Sequence, residues 1–156
     1  MNMESILIRQ KQALGLLQSL LDEEFEALLS GSPQTVSSLE FSIQELVRQL
    51  MDEKEFMSAE VRKAGFADTA EYIDSLDQGE SSALKEIVKD LKGMEEECSR
   101  QAMKNFHMAQ ALAEQSSGLL NMLFANVTPR KEDVYSSRGR WHEPGVKSSG
   151  LLRGST

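Results

Sequence analysis

Between Pro33 and Pro129 the chain runs for 95 residues without a proline, and with few glycines. Proline removes a backbone donor and clashes with the preceding turn, and glycine weakens a helix interior. A stretch nearly free of both permits long helices. Apolar residues recur through it at helical spacing, never in the alternation that marks strands. The pattern predicts an all-α chain, an antiparallel bundle of three long, coiled-coil-like helices with one short connecting helix.

The first helix is expected over about Ser5–Leu29, where Leu7, Leu14, Leu17, Leu21, Phe25 and Leu28 form one stripe. Asp22, Glu23, Glu24 and Glu26 fall largely off it, as a solvated face would. Gly31 suits a left-handed C-terminal cap, and Ser32-Pro33 suits a new N-cap followed by the first helical residue. The second helix should reach about Ala64 with Val36, Leu39, Ile43, Leu46, Leu50, Met57 and Val61 inward, ended by Gly65. So short a link makes these two an antiparallel hairpin. Asp68 and Glu71 have capping-box spacing ahead of a short helix bearing Ala70, Tyr72, Ile73 and Leu76. Asp77–Glu80 reads as a loop, with Ser81 or Ser82 capping the last long helix.

That last helix is expected to about Asn126. Leu84, Ile87, Val88, Leu91, Met94, Cys98, Ala102, Phe106, Ala109 and Leu112 share its face, and Leu120, Leu123 and Phe124 stay in phase beyond a possible break or kink at Gly118. At ~1.5 Å per residue it would be roughly 67 Å long, against about 48 Å and 38 Å for its partners. They cannot cover it fully. Leu119, Met108 and Met122 widen the stripe, so this end is either overlaid by another part of the chain, a homodimer seam, or a rail for another protein's amphipathic helix.

Charge divides the chain where the prolines do. The 156 residues hold 17 Lys and Arg against 25 Asp and Glu, a net −8. Residues 127–156 carry six basic and three acidic side chains, so they sum to +3 and residues 1–126 to −11. The expected organisation is a helical bundle over 1–126 and a flexible basic tail rich in Pro, Gly and Ser over 127–156. Tyr135 and Trp141 are the tail's aromatic anchors. With 40% hydrophobic and 27% charged residues the bundle can bury a core. No apolar run is long enough to cross a bilayer, and no leader-like segment opens the chain, which points to a cytoplasmic protein. The acidic excess argues against nucleic acid as a partner.

Catalysis has little to stand on. Cys98 is the single cysteine and follows Glu95, Glu96 and Glu97, which would raise its thiol pKa, so it reads as a small buried hydrophobe. His107 has Lys104 three residues before it, where a bundle metal site would need a carboxylate. His142 lies in the tail. Adjacent acids such as Glu95–Glu97 point around a helix and cannot converge on one cation. No cofactor and no metal is expected.

Taken together, Asn105 in the last helix, the apolar run to Phe124, Pro129, and then Tyr135-Ser136-Ser137-Arg138-Gly139 resemble the flagellar hook-associated-protein export chaperones, the FlgN family. That family's tail element is a Tyr-x-x-x-Gly, often with Gly where Ser136 stands here. The resemblance implies an ATP-independent chaperone of type III export that binds C-terminal amphipathic segments of the hook–filament junction proteins. It carries the substrate surface onto Phe106, Ala109, Leu112, Leu119, Leu120, Leu123 and Phe124. It also places Tyr135 on the cytosolic domain of the export-gate membrane protein.

Overall fold

The computed structural model describes residues 2–127, which form an all-α bundle of four helices: α1 (Met3–Ser30), α2 (Pro33–Lys63), α3 (Thr69–Asp74) and α4 (Gln78–Val127). No strand occurs among the described residues. Two compact units divide the chain, one ending at Glu114 and one beginning at Gln115.

Local chemistry sets most helix ends. Asn2 caps α1, its side-chain oxygen accepting from Ser5 N at 3.1 Å, so α1 begins two residues before the expected Ser5. Gly31 closes α1 at φ 69°, ψ 39°, a left-handed conformation that costs glycine no Cβ clash. Pro33 opens α2 as expected, but the Ser32 side chain makes no capping bond. Asp68 accepts from Glu71 N at 2.9 Å, and the Glu71 carboxylate in turn accepts from Ala67 N at 2.6 Å, a capping box shifted by one residue. The expected loop at Asp77–Glu80 is a correction: α4 already begins at Gln78. The Asp77 carbonyl accepts from Ser81 N at 2.9 Å, and Ser81 is buried as part of the helix. Helix also persists through Gly118 to Val127, so α4 does not end there.

In the first unit, contacts fix the helix directions. Arg9 pairs with Glu53 at 2.7 Å and the buried Gln10 amide faces Met57 Sδ, so α1 and α2 run antiparallel. Cys98 Sγ lies 3.7 Å from the Leu14 carbonyl oxygen, and Asn105 Nδ2 donates to the Leu21 carbonyl oxygen at 2.8 Å. Both pairs are 84 residues apart, so α4 runs parallel to α1 in a constant register. The same offset sets Ser30, the end of α1, level with Glu114.

The core is a ladder of heptads. Leu7, Leu14 and Leu21 on α1 face Leu84, Leu91, Cys98 and Asn105 on α4, each series seven residues apart and buried. Leu50, Met57 and Val61 complete it from α2, with Ile73 of α3 beside them. Burying one such side chain contributes about 1.5–3 kcal/mol. The burial is lopsided: no α2 residue before Leu50 is buried. Val36, Leu39, Ile43 and Leu46 of the expected core face are only half-buried, as are Phe25 and Leu28 opposite them.

Candidate functional site

The seven residues expected to form a partner surface all lie on α4. In the first unit Phe106 is 61% exposed, whereas Ala109 and Leu112 are half-buried. The expected core face of α4 is corrected here: Ala102 and Phe106 lie outside the core, and Asn105 takes the buried position in register with Leu84, Leu91 and Cys98. At 100° per residue, Ala102, Phe106 and Ala109 sit to one side of Asn105, the side that α2 flanks. The Phe106 ring meets the ring of His107 edge-on, with centroids 5.8 Å apart.

In the second unit Leu119, Leu120, Met122, Leu123 and Phe124 are each more than half exposed on consecutive turns of helix. Helical phase puts Leu119, Leu120, Leu123 and Phe124 on a face about 140° wide, with Met122 extending one edge. Leucine, methionine and phenylalanine thus cluster, exposed, within six residues. Tyr135, Trp141 and His142 lie outside the described residues.

A second apolar surface goes beyond what periodicity signals. In the first unit α2 and α4 part over α1 and leave an open cleft of about 300 Å³. Leu14, Leu17 and Leu21 form its floor, Val47 and Met51 one wall, and Cys98 and Ala102 the other. Lys54 and Glu95 form an ion pair that bridges one end. Val47 and Met51 lie beside, not on, the α2 stripe, and a stripe widened on one flank is the signal that marks such a cleft.

Polar residues follow beyond the cleft's other end, next to Leu21 and Ala102. Asn105 is 1% exposed; besides donating to Leu21 it accepts from Gln101 Nε2 at 2.9 Å, and its amide acts to lower the pKa of the nearby Glu24 carboxyl. Burial pushes the Glu24 carboxyl above its ordinary pKa. The Asn105 amide opposes that shift, and the nearby Glu40 carboxylate adds to it. Sequence places Glu24 on a solvated face, yet it is half-buried. Nothing local signals this, because its burial depends on α4 lying alongside. Across α1, Lys104 stands 4.3 Å above the Phe25 ring.

Cys98 is buried and its thiol pKa is raised, first by burial and then by Glu97, Asp22 and Glu95, the reverse of what an activated nucleophile needs. Among the described residues no three His, Cys, Asp or Glu side chains gather where a metal could bind. None of the described helices is long and apolar enough to cross a membrane.

The family model described as FlgN protein matches residues 1–143. No curated protein and no solved structure matches the chain. The FlgN family is a family of chaperones for flagellar type III export, whose partners are in general hook–filament junction proteins, and not a family of enzymes. With most of its length matched, the chain belongs to the FlgN family.

Proposed function

We propose that this chain is a cytosolic, ATP-independent export chaperone that holds the C-terminal amphipathic segment of a hook–filament junction protein and hands it to the export gate. The observation that carries the reading is the exposed apolar surface of α4 on an otherwise highly charged bundle in a member of this family. Phe106, Ala109 and Leu112 serve the first unit, and Leu119, Leu120, Leu123 and Phe124 the second. Residues 1–126 act as the holding part and 127–156 as a delivery arm, with Tyr135 docking on the cytosolic domain of the gate protein.

Magnitudes fit a reversible holder. The five apolar residues of the second unit are 52–68% exposed. Covering them gains about 1 kcal/mol each, so about 5 kcal/mol in all. Association costs about 4–15 kcal/mol, so this patch alone holds a client weakly and needs apolar surface from the first unit as well. Weak contacts summed over two patches release without a covalent step or nucleotide.

Co-purification with the C-terminal segment of a junction protein tests the proposal. Truncation at Ala113, or Leu120→Asp with Leu123→Asp, is expected to abolish capture, while Tyr135→Ala preserves it and weakens pull-down of the gate protein's cytosolic domain. Full capture by the truncated chain would sink the assignment. Sedimentation separates it from the competing reading, a structural homodimer closed through the same stripe. A tight dimer that buries α4 and excludes the segment favours the homodimer.

A further inference from the structure

We propose that the cleft between α2 and α4 in the first unit seats about four turns of a partner's apolar helix, with a lysine or arginine of that helix set against Glu24 and Glu40. The inference rests on the chaperone reading and deepens it, because it states what chemistry the held segment must have.

The cleft is built along three lines at seven-residue spacing. Val47 and Lys54 line the α2 side and Glu95 and Ala102 the α4 side, with Glu40 and Ala109 one such step further along their helices, beyond the lining itself. The leucines of α1 make the floor, and Glu24 follows Leu17 at the same spacing. The two ends differ in charge. At one end Lys54 and Glu95 neutralise each other. At the other, Glu24 and Glu40 repel, and neither has an ion-pair partner among the described residues. A neighbouring hollow is lined by Asp22, Glu23 and Glu26 together with one cation, Lys104.

A half-buried carboxylate beside a like charge is poorly solvated, and a cation brought with an apolar helix relieves both faults. The Glu40-to-Lys54 spacing sets the occupant's length at about 21 Å, or roughly fourteen helical residues. A second copy of this chain is a poor occupant, since residues 1–126 carry −11 and would bring further acid to an acidic rim.

Two synthetic sixteen-residue amphipathic peptides with the same apolar stripe test this, one with two lysines at one end and the other with two glutamates. Each is titrated calorimetrically into the full chain. The lysine peptide is expected to bind about tenfold more tightly, the worth of two partly exposed ion pairs. Adding salt shrinks that preference. Glu24→Gln with Glu40→Gln reduces it below about twofold, and Val47→Lys or Ala102→Arg abolishes binding of both peptides while the circular dichroism stays helical.

Equal affinities, no binding by either peptide, or binding that survives both wall variants overturns the proposal. So does a dimer that Val47→Lys dissociates. A junction-protein segment run in parallel separates the two readings. If it binds and ignores Val47→Lys and Ala102→Arg, the cleft is not the seat and the chaperone reading stands. If the lysine peptide behaves as expected and no junction segment binds, the chaperone reading fails and the basic-helix cleft stands.

Discussion

Replacing Asn105 with alanine removes the one buried amide that ties α4 to α1. One bond is lost across the interface, the donation to the Leu21 carbonyl at 2.8 Å, together with the favourable influence of the amide on the Glu24 carboxyl. A neutral bond is worth about 1 kcal/mol, and the gap left by the amide and its lost influence on Glu24 add a similar amount, so the bundle should lose about 2 kcal/mol. Gln101, half-buried, recovers water as its partner and adds little. For a unit of this size that loss lowers the midpoint of thermal unfolding by about 10–15 °C.

Asn105→Leu is the informative control. It loses the same bond but fills the gap between Cys98 and Leu112 with apolar surface. It orphans no buried acceptor, because the Leu21 carbonyl keeps its own helical donor. Its stability should lie within about 1 kcal/mol of the native chain. Urea unfolding monitored at about 222 nm, the helix band, reads both variants. A loss below about 0.5 kcal/mol for Asn105→Ala would refute the argument that this amide joins the two helices.

Other contacts lead to three more expected outcomes. Glu24→Gln should stabilise the bundle at pH 7, and the gain should fade on acidification. The folded-state pKa of Glu24 is raised, so its charged form is penalised above that pKa, and the penalty vanishes below the ordinary carboxylate range, where both states are protonated. A pH-independent gain in denaturation midpoints would count against this. Leu7→Ala, at a side chain 1% exposed, should cost about 2–5 kcal/mol in urea unfolding, whereas Leu16→Ala on the exposed face of the same helix should cost little. Cys98 should react with a thiol reagent far more slowly in the native protein than in denaturant, since burial raises its pKa and blocks access; equal rates would contradict its place in the core.

What can be read from residues alone is what neighbours in sequence decide. Gly31, Pro33, Gly65 and the Asp68–Glu71 pair act over one to four residues, and their roles are legible. The leucine stripes are legible because a helix repeats its own geometry. Polar burial is not. Gln10, Ser81 and Asn105 are buried, yet their chemistry marks them as surface or cap residues, and only packing against another helix decides otherwise. Ser81 therefore looks like a cap in sequence, and Asn105 carries a family likeness there without its contact to Leu21. The cleft escapes for a related reason. Periodicity says which residues turn inward, but not that α2 and α4 stand apart over Leu14, Leu17 and Leu21.

The parallel register of α1 and α4 governs the order in which the chain folds. α1 and α2 meet across a two-residue turn, but Leu14 and Leu21 meet their α4 partners only across 84 residues. Contacts so distant in sequence must wait for the loop between them to close, so the hairpin forms first and α4 docks onto it. On a ribosome adding about 5–20 residues per second, about 40 residues must be added after Lys63 before Asn105 emerges, a delay of about 2–8 s. During that interval the nascent chain shows solvent an uncovered leucine stripe, and the acidic residues beside it are what keep that stripe from other chains.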